Sequence, residues 1–183
     1  MLNQRIDDII DELIEREGGY SNNKNDLGGE TIYGITVKVA RANGYTGAMK
    51  DMPVSIARQI YFSECVIKPG FDKVVMISPA IALELVDTGV SMGAGIAARF
   101  FQRVLNAFND EGQLYADIPV DGDIGRTTMS AFSLYLARRG SQAEKGMLAA
   151  LNALQGARYV ELCEKRSANE DFAFGWMINR VAA

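Results

Sequence analysis

Apolar residues return every three or four positions along most of this chain, and polar residues fill the gaps. Near the N-terminus Ile6, Ile9, Ile10, Leu13 and Ile14 keep the i, i+3, i+4, i+7, i+8 spacing while Asp and Glu occupy the other faces. That pattern predicts an amphipathic helix. Residues 36–43 read as a short helix, capped by Thr36 and stopped by Gly44. Another is expected over 55–65, with Ile56, Ile60 and Tyr61 along one side and Pro53 just ahead of it. Residues 80–92 are apolar almost all round, which places this segment at the centre of the core. Ile96, Phe100, Phe101, Val104, Leu105 and Phe108 line one side of the next helix, which Asn109-Asp110-Glu111-Gly112 breaks. Helices resume over about 127–139 and 142–166, and a short one covers about 171–181. Strand signals are confined to 31–35 and 115–120. The pattern predicts a mainly α protein with one small β element. Gly93-Ala94-Gly95 is where two lobes, 1–94 and 95–183, would divide.

Composition narrows the chemistry. Of 183 residues, 48% are hydrophobic and 23% charged, enough apolar material for a core without staples. The net charge of -4, with no dense run of Lys and Arg, gives no reason to expect a nucleic-acid partner. Cys65 and Cys163 stand in apolar helical contexts; a disulfide between them is one reading, and a pair of buried free thiols is the one that intracellular synthesis favours. The first fourteen residues carry scattered charges and no long apolar run. They read as neither signal peptide nor membrane span, so cytoplasmic synthesis without stable membrane insertion is expected. The chain has no histidine. That excludes serine–histidine and cysteine–histidine nucleophiles and histidine-held metals. Catalysis here must use carboxylates, hydroxyls, lysine or tyrosine.

The stretch EREGGYSNNKNDLGGETIYGIT, residues 15–36, concentrates such groups. Glu17 follows Ile6 by eleven residues, close to a whole number of helical turns, and so is expected on the core-facing stripe with Ile10 and Leu13. Burial there would favour the neutral carboxyl, and the negative end of the helix dipole would act in the same direction. A carboxyl that keeps its proton near neutral pH can serve as a general acid. Gly18 and Gly19 suit a helix C-cap. Gly28 and Gly29 would turn the chain back beneath Glu17 and permit close approach. Asp26, in a polar loop, is expected to stay ionised. One dry and one wet carboxyl are what glycoside hydrolysis uses. The plainer alternatives are a glutamate facing solvent and an ordinary surface loop. A calcium loop fits poorly: Asn23, Asn25 and Gly28 take the first, third and sixth positions, but Gly34 stands where the twelfth needs Glu. The later DGDIG has Arg126 where the invariant glycine should be.

The same stretch resembles the signature of the glycoside hydrolase family 108 N-acetylmuramidases, phage endolysins and prophage-borne relatives with a lysozyme-like fold. The residues that carry the likeness are Glu17-Gly18-Gly19-Tyr20, Asp26, Gly28-Gly29, Thr31 and Tyr33-Gly34-Ile35-Thr36. The resemblance implies a lysozyme-like helical fold with the β element near the active site, and Glu17 as catalytic acid. Glu17, Asp26 and Thr31 are also similar to the Glu, Asp and Thr triad of small phage lysozymes, with one residue fewer between Asp26 and Thr31. LVDTGVSMGAG and AARFFQRVLN resemble the helices closing the family's catalytic lobe, although relatives carry Asn where Ser91 stands. VDGDIGRTTMSA and FGWMINRV resemble the partner region described as peptidoglycan-binding.

The resemblance implies a peptidoglycan hydrolase that cleaves the β-1,4 bond between N-acetylmuramic acid and N-acetylglucosamine. Glu17 would protonate the leaving oxygen, Asp26 would position a water or stabilise the oxocarbenium-like centre, and Thr31 would orient that water. Tyr20 and Tyr33 flank the expected cleft as sugar-stacking or core residues. No metal or organic cofactor is expected, and the protein is expected to be a monomer acting on the wall in the periplasm after holin-type release. The alternatives are a lytic transglycosylase and a non-catalytic wall-binding or secretion-assisting protein. Asp87, within the most apolar helix, is read as a structural tie and Trp176 as a core aromatic.

Overall fold

The computed structural model describes residues 2–21 and 29–181. They form two compact units, 1–68 and 69–183, each with its own core. The units divide at Lys68–Pro69, upstream of the expected break at Gly93–Gly95. The reason lies in the second unit: the apolar helix at 79–92 packs there against the helices that follow it.

In the first unit α1, Leu2–Glu17, buries Ile6, Ile10, Leu13 and Ile14. These are the stripe residues, and they face α3, Val54–Phe62. Arg58 on α3 grips Asp11 on α1 with two guanidinium nitrogens, fixing their register. Between the two helices lie β1, Thr31–Ile32, β2, Ile35–Thr36, and α2, Val37–Ala42. Thr36 caps α2 as expected, accepting from the Val39 amide at 3.3 Å. A 3₁₀ turn, Met49–Asp51, buries Met49. The chain leaves α3 through a π-helical turn, Ser63–Ile67.

The second unit contains α4, Phe71–Val75, α5, Pro79–Met92, α6, Ala94–Ala107, α7, Arg126–Arg139, α8, Ala143–Lys165, and α9, Glu170–Trp176. Helix α5 starts on Ser78, whose hydroxyl accepts from the Ile81 amide at 3.3 Å and donates to Glu144 Oε2 at 2.6 Å. Its Ile81, Ala82, Leu85 and Val86 are fully buried, with Phe101, Leu105, Phe132 and Met147 from its neighbours. This is the core position that the all-round apolar pattern predicts.

The expected strand at 115–120 does not form. Backbone groups there are satisfied by side chains instead: Asn106 donates to the Ile118 carbonyl at 2.8 Å and accepts its amide at 2.9 Å. The Tyr115 hydroxyl donates to the Leu105 carbonyl at 2.8 Å. Gln102, 1% exposed, organises the DGDIG loop. Its amide nitrogen donates to Asp121 Oδ1 (2.7 Å) and the Asp123 carbonyl (3.0 Å), and its oxygen accepts from the Gly122 amide (2.8 Å). The loop's acid groups are thus part of a glutamine-centred turn.

Asp87 is the structural tie the sequence suggests. Gln155 donates to its Oδ2 at 2.9 Å, and Arg180, on the π-helical turn Met177–Val181, forms an ion pair with Oδ1. Trp176 is half-buried, stacked between Tyr159 and Phe172 at 4.8 and 6.0 Å, and lies at the edge of the core. Cys65 and Cys163 are free, half-buried thiols. Among the described residues, no helix is long and apolar enough to cross a membrane.

Candidate active site

Helix α1 ends where the two glycines begin. Gly18 adopts φ +74° while its amide still closes the last turn on the Ile14 carbonyl at 3.2 Å. The chain then runs to Ser21, which exchanges two backbone hydrogen bonds with Thr31, both at 2.9 Å. This bridge returns the chain to β1 and so to the end of α1.

The β element is a tight hairpin. The expected run at 31–35 is interrupted at Tyr33 and Gly34, which both have positive φ, 53° and 72°. Thr31 pairs with Thr36 and Ile32 with Ile35 across this two-residue turn. Two positive φ values in succession give the type I′ geometry that matches the twist of paired strands. Glycine takes such a φ without cost, while tyrosine does not. Tyr33 is held there from two sides: its amide donates to the Gly18 carbonyl at 3.0 Å, and its carbonyl accepts the Tyr61 hydroxyl at 2.7 Å.

The turn meets Glu17. A Cβ on Gly34 would lie 3.0 Å from both Cβ and Cγ of Glu17 and 2.9 Å from the Tyr61 hydroxyl oxygen. A side chain there would force Glu17 and Tyr61 to move. The glycine therefore allows the stem of Glu17, the hairpin turn and Tyr61 to meet. Burial, then the negative charge of Glu17, push the Tyr61 phenol up to about 12, so it remains a neutral donor at ordinary pH.

Glu17 is not buried as its helical register predicts. Its side chain is 41% exposed, and Arg16 lies 3.4 Å from its Oε1. The apolar stripe of α1 does extend to Glu17, whose stem abuts Gly34. Gly18, however, ends the helix at that level, so among the described residues no further turn of α1 covers the carboxylate. The periodicity located the direction of the side chain but not how far the core reaches along it. Asp26 lies outside the described residues.

Thr31 is half-buried in β1, positioned by bonds to Ser21 and by pairing with Thr36. Tyr20 is 43% exposed, and its hydroxyl donates to Glu30 Oε1 at 3.2 Å. Tyr33 is half-buried. It also lines, with Ile14, Gly18 and Arg58, a depression of about 340 Å³ beside the end of α1. A larger cavity of about 490 Å³ in the same unit, at Asn43, Tyr45 and Gln59, contains none of the expected site residues. Sequence reasoning missed Tyr61, which helical spacing presented as a packing residue. It also read Gly34 only as part of a motif, because Tyr-Gly lacks the Asn or Asp that marks the strong two-residue hairpin signals.

Comparison with known proteins places this geometry. The family described as Glycosyl hydrolase 108 matches residues 10–93, the span that holds Glu17, the hairpin and Tyr61. Residues 10–93 are therefore similar to the glycosyl hydrolase 108 family over a little under half of the chain. The family described as Predicted Peptidoglycan domain matches residues 96–181. The chain is thus a glycosidase-type protein directed at peptidoglycan. Among solved structures, that of Brucella abortus SagA is similar over 98% of this chain and 91% of its own, with a TM-score of 0.59 and 20% identity. At that identity the likeness is one of fold, and it agrees with the expected lysozyme-like, mainly α architecture. No curated protein matches the chain. Among the described residues of the glycosyl hydrolase 108 region and its partner, no group of three or more Cys, Asp or Glu could hold a metal ion.

Proposed function

We propose that this chain is an N-acetylmuramidase that cleaves the β-1,4 bond between N-acetylmuramic acid and N-acetylglucosamine, with Glu17 as proton donor. The observation that carries the reading is the seating of Glu17 at the end of α1 against the Tyr33–Gly34 turn, within the glycosyl hydrolase 108 match. Its stem is fixed and its carboxyl is open, as a group that must reach a glycosidic oxygen needs to be. A glycan strand laid over the open face would displace water from around the carboxyl. Asp26 then serves as base or electrostatic partner, Thr31 orients the attacking water, and Tyr20 and Tyr33 contact the sugars. Residues 1–94 would be the catalytic lobe and 95–183 the accessory lobe. The proposed setting is that of a phage-type endolysin acting on the periplasmic wall as a monomer after holin-type release.

Mass spectra of fragments released from purified peptidoglycan test the reaction. Hydrolysis leaves reducing-end muramic acid, whereas transglycosylation leaves an anhydro sugar. Anhydro products would remove water, and with it the role given to Thr31, from the mechanism. No products at all would favour the wall-binding alternative.

A further inference from the structure

The second unit carries a trough that no part of the glycosidase reading uses. On α6, Arg99 and Arg103 stand one turn apart beside Ile96 and Phe100. On α8, Leu154, Ala157, Arg158 and the carboxylate of Glu161 face them, and Arg103 contributes to holding that carboxyl low. Two cavities of about 400 and 460 Å³ adjoin here and share Arg103, Val120 and Leu154. The second is almost wholly apolar, lined by Val104, Ala107, Ala150 and Ala153. Val120 is 41% exposed at the junction.

The charges around it are uneven. Arg158 donates to Glu161 at 2.8 Å, and that pairing leads in holding the Glu161 carboxyl below its ordinary range. Asp121 near Arg99 is held low chiefly by the Asp123 amide and Gln102, so it is already spoken for. Arg99 donates to the Gly95 carbonyl at 3.3 Å, and Arg103 lies over the Phe100 ring at 5.9 Å. Among the described residues, neither has a carboxylate within salt-bridge distance. Two guanidiniums thus stand at the edge of an apolar floor, in a chain whose net charge is -4.

We propose that this trough binds the peptide part of peptidoglycan: a short, alanine-rich chain carrying free carboxylates. This rests on the reading that the chain acts on peptidoglycan. Arg99 and Arg103 would take the carboxylates, bidentate where geometry allows, and the alanine-lined floor would take methyl side chains. A sugar fits less well. Asn106, the polar amide in the apolar half, is already bonded at both ends to Ile118, and Phe100 is buried beneath Arg103. A nucleic acid fits less well still, since the floor offers apolar surface where phosphates would need donors.

The test uses the full-length chain and three probes: the synthetic pentapeptide L-Ala-γ-D-Glu-L-Lys-D-Ala-D-Ala, the same peptide with its carboxylates amidated, and peptide-free glycan strands. Calorimetry and amide chemical shifts should show the acidic peptide binding with shifts at Val120, Ala153 and Leu154. Amidation, or Arg103→Gln with an unchanged thermal midpoint, should weaken binding about tenfold, the scale of one charge-assisted hydrogen bond. Arg138→Gln, on the exposed side of α7, should bind as the native chain does. Equal affinity for both peptides, no binding, or binding only to a DNA oligonucleotide or anionic vesicles would overturn the proposal, as would shifts arising only from self-association. Cleavage of the peptide-free strands is followed in parallel. Peptide binding without any cleavage would sink the glycosidase reading alone, and cleavage without peptide binding would sink the trough alone.

Discussion

Gly34 and Tyr61 show how much of the site depends on contacts one residue wide. Gly34 sits at φ +72° with Glu17 and Tyr61 pressed where its Cβ would be. Gly34→Ala should therefore destabilise the protein by about 1–3 kcal/mol, the range for a strained left-handed residue, and should displace the Glu17 stem as well. Chemical denaturation and initial cleavage rates measure both effects, and a variant with native stability and native rate would contradict the packing described. Tyr61→Phe removes one hydrogen bond to a hairpin carbonyl, which should cost about 1 kcal/mol and lower activity through a misplaced turn. At this scale the sequence was partly legible. Glu17 and the glycines announce themselves by helix register and turn chemistry. The exposure of Glu17 does not follow from either, because periodicity gives direction and says nothing of where the covering elements stop.

The elements were read with more success than their interruptions. An apolar stripe on α1, the Thr36 cap and the all-apolar α5 each follow from local spacing, and each formed. The hairpin turn, the π-helical turns at Ser63–Ile67 and Met177–Val181, and the irregular 115–120 segment did not declare themselves. All depend on side chains distant in sequence, as Asn106 on Ile118 and Gln102 on the 121–123 loop illustrate. Gln102→Leu tests that dependence. It keeps the volume but leaves the Gly122 amide without its acceptor, so a loss of about 2 kcal/mol or more is expected in urea unfolding. A neutral outcome would mean the loop is held by its own turns and not by Gln102.

For the molecule as a whole, a half-buried acid in the second unit should make stability depend on pH. Desolvation, reinforced by the neighbouring Asp87 charge, pushes Glu84 up to about 7 from its ordinary 4.5, against an opposing hydrogen bond from Thr88. The folded state therefore holds this proton more tightly than the unfolded chain. Its contribution is complete below about 4.5 and is lost as pH rises through about 7. The thermal midpoint should fall across that window, and Glu84→Gln should flatten the fall; an equally steep fall in the variant would assign it to other groups. Nothing in the local sequence marks Glu84, since its environment is assembled by α5, α8 and a C-terminal arginine far along the chain.

The claim on which the functional reading turns is that Glu17 delivers the proton. Glu17→Gln keeps the size of the side chain and its contact with Gly34 but cannot donate an acid proton, and at an exposed position it should leave the thermal midpoint unchanged. The decisive measurement is the rate at which this purified variant releases reducing ends from peptidoglycan. A loss of at least about a hundredfold is expected, the usual scale of general acid catalysis. A variant that folds normally and cleaves at the native rate would show that the proton comes from elsewhere.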